Sequence, residues 1–306
     1  MFEAPQGWED YYEKVISKCK AYIRSGYWEE IDIHSLRGWL GNFKTPADKY
    51  FSACMLDALV YRSRKMVDSS LKHISSFIIP NFFSSSGLQI NEENLANWCL
   101  SLQTGKDVPF RFVAIEGVDN KPGKSGSIVA RQIKESLDLA GHLTPLVENL
   151  HKVPDSVKAI VFIDDFSGTG EQFIDYYNNK VKLLLTKPIP ILYAPLAAHE
   201  KAIANIEATL KNVSVRPSEV ITEEDSFFFP IEATFRGDKL NSTASAEEHY
   251  LKICCENDFE RDEYLFGKGN QALTFAFYFS TPNNNLKLLY NKKPDNTWKN
   301  LLNRNR

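Results

Sequence analysis

The segment VFIDDFSGTGEQF, residues 161–173, leaves this chain few folds to choose from. An unbroken apolar run, AIVFI, stops at two carboxylates, Asp164 and Asp165, and a glycine-rich turn then opens into the helical pattern EQFIDYYNN. A strand apolar at every position is buried on both faces, which is the state of a strand in a parallel sheet covered by helices. Two other runs, PFRFVAIEGV and KPIPILYAPL, have the same character. Helical stretches, SIVARQIKESLDLAGHL and LAAHEKAIANIEATLKN, alternate with them. Strands and helices in alternation from about residue 108 predict βαβ units and an α/β fold, with a central, mainly parallel sheet flanked by helices.

The rest of the chain reads differently. Trp8, Tyr11, Val15, Cys19 and Tyr22 recur at steps of three and four, and a second stripe takes in Trp39, Leu40, Phe43, Leu56, Leu59 and Val60, so residues 8–80 are expected to be helical. IIPNFFSSSG at 78–87 combines proline, serines and glycine and is expected to be a loop. A short helix is predicted at NEENLANWCLSL. From 226 on, aromatic strand-like runs (SFFFPIEATF, ALTFAFYFST) alternate with an acidic piece, ENDFERDE at 256–263, expected to be a solvated helix face. The expected organisation is an N-terminal helical layer at 1–87, an α/β core at 88–235 and a C-terminal α+β extension at 236–306 packed on that core. No internal repeat is present.

Composition narrows the function classes. With 43% hydrophobic and 25% charged residues, the 306-residue chain has the profile of a globular protein with a core that needs no disulfide or structural metal. Thirty-six Lys and Arg against 39 Asp and Glu give a net charge of -3, so no global field attracts polyanions. The five cysteines are odd in number and lack C-x-x-C spacing, which points to reduced thiols and a cytoplasmic location. The start, MFEAPQGWEDYYEK, reads as neither a signal peptide nor a membrane span, so no membrane partner is expected. The six histidines form no zinc-ligand spacing, and no Ser-His-Asp or Cys-His set can be assembled from sequence.

The chemistry concentrates at carboxyl ends of strands, the edge where parallel α/β sheets bind ligands. Asp164 and Asp165 can accept hydrogen bonds from vicinal hydroxyls. Gly168 and Gly170 let backbone amides approach an anion, and the following helix start adds a positive dipole. A phosphorylated sugar fits all of these. Acids that merely cap a strand-to-helix turn are the plainer account of the pair.

These residues resemble the signature of type I phosphoribosyltransferases: a hydrophobic strand, two acids, a few small or apolar residues, then Thr-Gly. The resemblance implies that Asp164 and Asp165 hold the ribose hydroxyls of phosphoribosyl pyrophosphate (PRPP). It implies that Phe166, Ser167, Gly168, Thr169, Gly170, Glu171 and Gln172 wrap the 5′-phosphate, and that Mg2+ is the cofactor, carried on ligand phosphates and within reach of Asp164 and Asp165. Two departures stand out. Members acting on 6-oxopurines have an aspartate general base where this chain has Gly168, and most members end the loop with threonine where it has Gln172.

A second strand–loop–helix segment, VAIEGVDNKPGKSGSIVARQ, precedes the first. Gly117, Lys121, Gly123, Lys124, Ser125 and Gly126 are candidates for a pyrophosphate loop, in which the lysines neutralise charge and Lys124 assists departure of the leaving group. The loop also resembles a Walker A motif, although its G-x5-G-K-S spacing is one residue longer than G-x4-G-K-[ST]. A solvated basic turn is the alternative without a ligand.

The C-terminal stretch YLFGKGNQALTFAFYFSTPNNNLKLLY, Trp298 and the WL-x2-F helix at Trp39–Phe43 resemble bacterial phosphoribosyltransferase-like proteins encoded beside defence modules, several with retron-type reverse transcriptases. That resemblance implies an effector regulated by partners, a reverse transcriptase and other defence proteins among them, with nucleic acid met indirectly. On chemistry alone, Thr281–Asn285 is first a turn whose asparagines could read a base edge, and residues 287–306 first a solvated basic face. His199 is expected at a helix start or on the surface, with a place in the site as the alternative. Cys254 and Cys255 are expected to be buried rather than nucleophilic, and Phe227, Phe228 and Phe229 to be core.

Three functions remain open: an enzyme acting at the anomeric carbon of a 5-phosphoribosyl group, by transfer or by hydrolysis; a sensor binding PRPP or a nucleotide without turnover; and a P-loop NTPase using Lys124 and Ser125.

Overall fold

Amphipathic spacing at the start of the chain becomes helix α1 (Trp8–Arg24), which buries Val15, Ile16 and Cys19. The computed structural model describes residues 1–88, 90, 94–115, 125–185, 187–229, 238–259, 264–293 and 297–304. Helix α2 (Ile33–Leu40) begins where the Asp32 carboxylate accepts the Ser35 amide, and α3 (Pro46–Asp57) begins at a capping box of Thr45 and Asp48. A short strand, β1 (Val60–Arg62), interrupts the helical run expected over 8–80.

Helix α4 (Arg64–His73) continues through a π-helical turn, Ile74–Ile78, into α5 (Ile79–Ser85). This corrects the loop expected at 78–87. Pro80, which has no amide to donate, directly follows the π-helical turn, where the Ser75 carbonyl accepts the Trp98 indole instead (2.8 Å), and Ile79, Phe82 and Phe83 are buried. Asn94 caps α6 (Leu95–Thr104). Then follow β2 (Phe110–Ala114), α7 (Ser125–Leu137), β3 (Ala159–Ser167) and α8 (Glu171–Tyr176), which runs through a π-helical turn, Tyr177–Val181, into α9 (Lys182–Leu184). Strand β4 (Ile191–His199), α10 (Glu200–Thr209), β5 (Val213–Val215) and β6 (Glu219–Ile221) come next, and α11 (Thr243–Glu256), β7 (Phe275–Phe277) and α12 (Lys287–Tyr290) close the series.

The chain divides into two compact units, residues 1–64 with 222–304, and residues 65–221. The second unit holds a five-stranded, all-parallel sheet in the order β2-β3-β4-β5, with β6 pairing β4 beyond the end of β5. The α/β class expected from the alternation of strands and helices is the class observed. Register sets Ala114 beside Ile163, Phe162 beside Tyr193 and Asp164 beside Pro195. One core lies on a single face of this sheet, where Phe162, Tyr193 and Val215 meet Phe173 and Tyr176 of α8 and Ile206 of α10. Phe173 stacks flat on Tyr193, ring centres 4.1 Å apart.

In the first unit β1 and β7 pair in parallel, Val60 beside Phe275. Asn285, fully buried, accepts the Phe275 amide through Oδ1 and donates through Nδ2 to the Pro282 carbonyl (2.8 Å), while Asn284 donates to the Lys268 carbonyl (2.8 Å). The side chains of Asn284 and Asn285 are thus committed to the backbone. Trp39 donates to the Leu288 carbonyl (2.7 Å), and Trp298, Leu301 and Leu302 are buried, so the described part of the basic tail is anchored rather than a plain solvated face. Residues 226–229 form a turn instead of the expected strand, with Phe227 buried and Phe228 and Phe229 half-buried. The acidic piece leaves the helix at Glu256, because Asp258 adopts a left-handed conformation (φ 53°) that turns Phe259 inward. Cys254 is buried and Cys255 exposed, and all five cysteines are free. Among the described residues no helix is long and apolar enough to cross a membrane.

Candidate functional site

Strand β3 delivers both acids to its carboxyl end, where the two carboxyl groups lie close enough to act on one another. Both are buried, Asp164 at 3% exposure and Asp165 at 7%. Asp164 shares the face of Phe162 and Tyr193. Its Oδ1 accepts the Asp165 amide (2.9 Å), and its Oδ2 accepts the Tyr193 hydroxyl (3.1 Å). Burial, reinforced by the charge of Asp165, raises the Asp164 carboxyl well above the ordinary carboxylate range. The Tyr193 hydroxyl is pushed up as well, by burial and then by facing Asp164. Asp164 therefore has both oxygens engaged inside the protein, and its negative charge is disfavoured.

The loop after the acids is held from the other side by α10. Gly170 has φ 82° and precedes α8, and a Cβ placed there would sit 2.8 Å from Ile206 Cγ1 and 3.0 Å from the Ala202 carbonyl oxygen. Only glycine combines that backbone with that approach. Asn205 Nδ2 donates to the Thr169 carbonyl (2.8 Å), fixing the peptide just before the turn. Ser167, Gly168 and Gly170 are buried, Phe166 and Thr169 half-buried, and Glu171 and Gln172 exposed at the start of a helical segment that runs to Leu184. Seven candidate residues, Phe166 through Gln172, thus form one continuous strand-to-helix turn directly after the acid pair.

Of the second loop, Gly117, Lys121, Gly123 and Lys124 lie outside the described residues. Ser125 and Gly126 open α7. Because β2 and β3 are parallel neighbours, the end of β2 at Ala114 and the acids of β3 share one sheet edge. His199 caps α10, its Nδ1 accepting the Lys201 amide (3.1 Å); this is the helix-start place, buried rather than on the surface. Sequence reading missed Tyr193 and Asn205. Tyr193 stands in an apolar strand run where a tyrosine looks like core, and Asn205 looks like a polar position on an exposed helix face.

The donor set suits a hard cation that brings its own ligands. Among the described residues no group of three or more His, Cys, Asp or Glu side chains forms a protein-only metal site. Two carboxyl groups at the carboxyl edge of a parallel sheet fit Mg2+ where phosphates and water complete its shell.

Residues 36–304 match the PRTase-CE family, nearly the whole length of the chain. The chain belongs to the PRTase-CE family. This PRTase-CE chain is accordingly phosphoribosyltransferase-like, which agrees with the resemblance carried by residues 161–173. Its solved structural neighbours are remote. The AQ2163 protein from Aquifex aeolicus is 11% identical, with a TM-score of 0.31 over 62% of this chain and 85% of that one. Orotate phosphoribosyltransferase from Aeropyrum pernix is 14% identical, with a TM-score of 0.24 over 40% of this chain and 68% of that one. No curated protein matches the chain.

Proposed function

We propose that this PRTase-CE protein binds PRPP or a nucleotide with Mg2+ and acts at the anomeric carbon of the 5-phosphoribosyl group. The observation that carries this reading is the placement of Asp165 at the carboxyl end of β3, immediately before a turn whose glycine is crowded by α10 and whose amides precede a helix. The turn 166–172 receives the 5′-phosphate, and the sugar hydroxyls fall to the acid pair, Asp164 and Asp165, at the end of β3. When bound, Mg2+ supplies charge neutralisation between the phosphates and the acid pair. Lys121 and Lys124 neutralise the departing pyrophosphate, whose C1–O bond breaks with its electron pair leaving on oxygen; an acceptor or water then adds at C1.

Gly168 favours a second reading. Position 168 holds no acid to deprotonate an acceptor, unlike the members that act on 6-oxopurines, which suits hydrolysis by water or a sensor that binds without turnover. A role as a cytoplasmic effector in bacterial antiphage defence, with a retron-type reverse transcriptase among its partners, is part of the proposal and rests on the resemblance of the C-terminal stretch.

Phosphorus NMR with Mg2+ and, separately, PRPP, ATP, dATP and NAD tests the reading beside an Asp164→Asn/Asp165→Asn double variant. Consumption of PRPP or a nucleotide by wild type alone, releasing pyrophosphate or ribose phosphate, is the expected result. Binding without turnover, lost in the variant, selects the sensor. ATP cleavage to ADP that depends on Lys124 and not on the 166–172 turn overturns the proposal in favour of an NTPase.

A further inference from the structure

Helices α1, α2 and α3 of the first unit line an open concavity of about 450 Å³, within the size range of pockets for small ligands. Each helix contributes one cation to its wall: Lys20 from α1, Arg37 from α2 and Lys49 from α3. A fourth, Lys44, is occupied, its amine donating to the Gly41 carbonyl (2.5 Å) at the end of α2. The other three make no ion pair with any described carboxylate, although the chain as a whole is net acidic. Among the described residues Glu13 is the one acid on the wall, and it is exposed. The amides at the start of α3 are not the attraction, because Asp48 already satisfies those of Lys44 and Thr45. Beneath the cations the floor is apolar, with Ile16, Leu36 and Phe43 buried.

Cations from three separate helices lining one concavity over an apolar floor form a surface that matches an anion joined to an uncharged group. We propose that this cavity binds a small phosphorylated molecule with an apolar or aromatic part, of nucleoside diphosphate size. Phosphate oxygens meet Lys20, Arg37 and Lys49, and the uncharged part lies on Ile16 and Phe43. The site is separate from the turn at 166–172, so the inference stands independently of the proposed reaction.

Lysine reductive methylation followed by peptide mass spectrometry reads this site alone, since each lysine reports its own surroundings. ADP and inorganic pyrophosphate serve as small probes and a twelve-residue oligothymidylate as a strand probe. ADP is expected to slow methylation of Lys20 and Lys49 and to leave exposed Lys14, on the same helix but off the cavity wall, unchanged. A Lys20→Gln/Arg37→Gln/Lys49→Gln variant, altered only in surface charges, is expected to bind ADP at this site at least about tenfold more weakly, as loss of charge-assisted bonds implies. Full ADP affinity of that variant at the site, or methylation of Lys20 and Lys49 at the same rate with and without ADP, overturns the proposal. Protection by the oligothymidylate alone overturns it too and assigns the cavity to a nucleic-acid backbone.

Discussion

Gly170 offers the sharpest test of how the turn after the acid pair is built. Replacing it with alanine imposes two separable penalties. A left-handed backbone (φ 82°) costs an L-residue about 1–2 kcal/mol. The new methyl then lies 2.8 Å from Ile206 Cγ1 and 3.0 Å from the Ala202 carbonyl oxygen, an overpacking that costs about 1–3 kcal/mol because α10 must shift or the turn must open. Together Gly170→Ala is expected to destabilise the protein by about 2–5 kcal/mol. Gly87 isolates the first penalty, for it has φ 68° in the same unit and nothing within 4 Å of where an alanine methyl would sit, so Gly87→Ala is expected to cost only about 1–2 kcal/mol. Urea unfolding of both variants, followed by far-ultraviolet circular dichroism, measures the difference. PRPP binding, followed by calorimetry, should weaken in Gly170→Ala and not in Gly87→Ala. Equal destabilisation by the two substitutions would refute the close approach of α10, and unchanged PRPP affinity in Gly170→Ala would refute the role of the turn.

Other outcomes follow from the buried groups. Tyr193→Phe keeps the stack on Phe173 and removes one bond to Asp164, a loss of about 0.5–1.5 kcal/mol for a hydrogen bond to a carboxyl whose charge burial disfavours; unchanged urea stability would sink this account. Asp164 binds its proton more tightly folded than unfolded, so its contribution to stability falls as pH rises above about 4, the unfolded carboxyl value. Asp164→Asn should therefore unfold at higher urea than wild type at pH 7, with the gap narrowing toward pH 4, and an equal gap at both pH values contradicts the burial argument. His249 behaves oppositely: burial lowers its pKa, although Asp48 Oδ1 lies 3.1 Å from Nε2 and pulls the other way. Its unfolded form takes up a proton below about 6.5 that the folded form resists, so stability is complete above that pH and is lost as pH falls. A His249→Asn variant should lose less stability than wild type between pH 7 and pH 5, and parallel curves would remove His249 from the acid response.

Much of the second unit was legible because its signals are local. Runs of consecutive apolar residues became β2, β3 and β4, and the acid pair followed by glycines fell at a strand end before a helix because a turn needs those residues within a few positions of one another. The same locality misled at 78–87, since proline marks loops and irregular helical turns alike, and only the burial of Phe82 and Phe83 separates the two.

The sequence by itself determined that this chain alternates strands and helices around a buried parallel sheet, and that two carboxylates and a glycine turn stand at one strand end. The tertiary structure decided how the two acids differ, because Tyr193, 29 residues from Asp164, reaches it only when β4 pairs with β3. It decided that Gly170 must be glycine, through Ala202 and Ile206 on a helix more than thirty positions on. It also joined residues 1–64 to 222–304, since the pairing of β1 with β7 and the bonds of Asn285 link positions that no local pattern relates. Hydrogen bonds and close contacts act over a few ångströms in space, and distance along the chain carries almost no record of them.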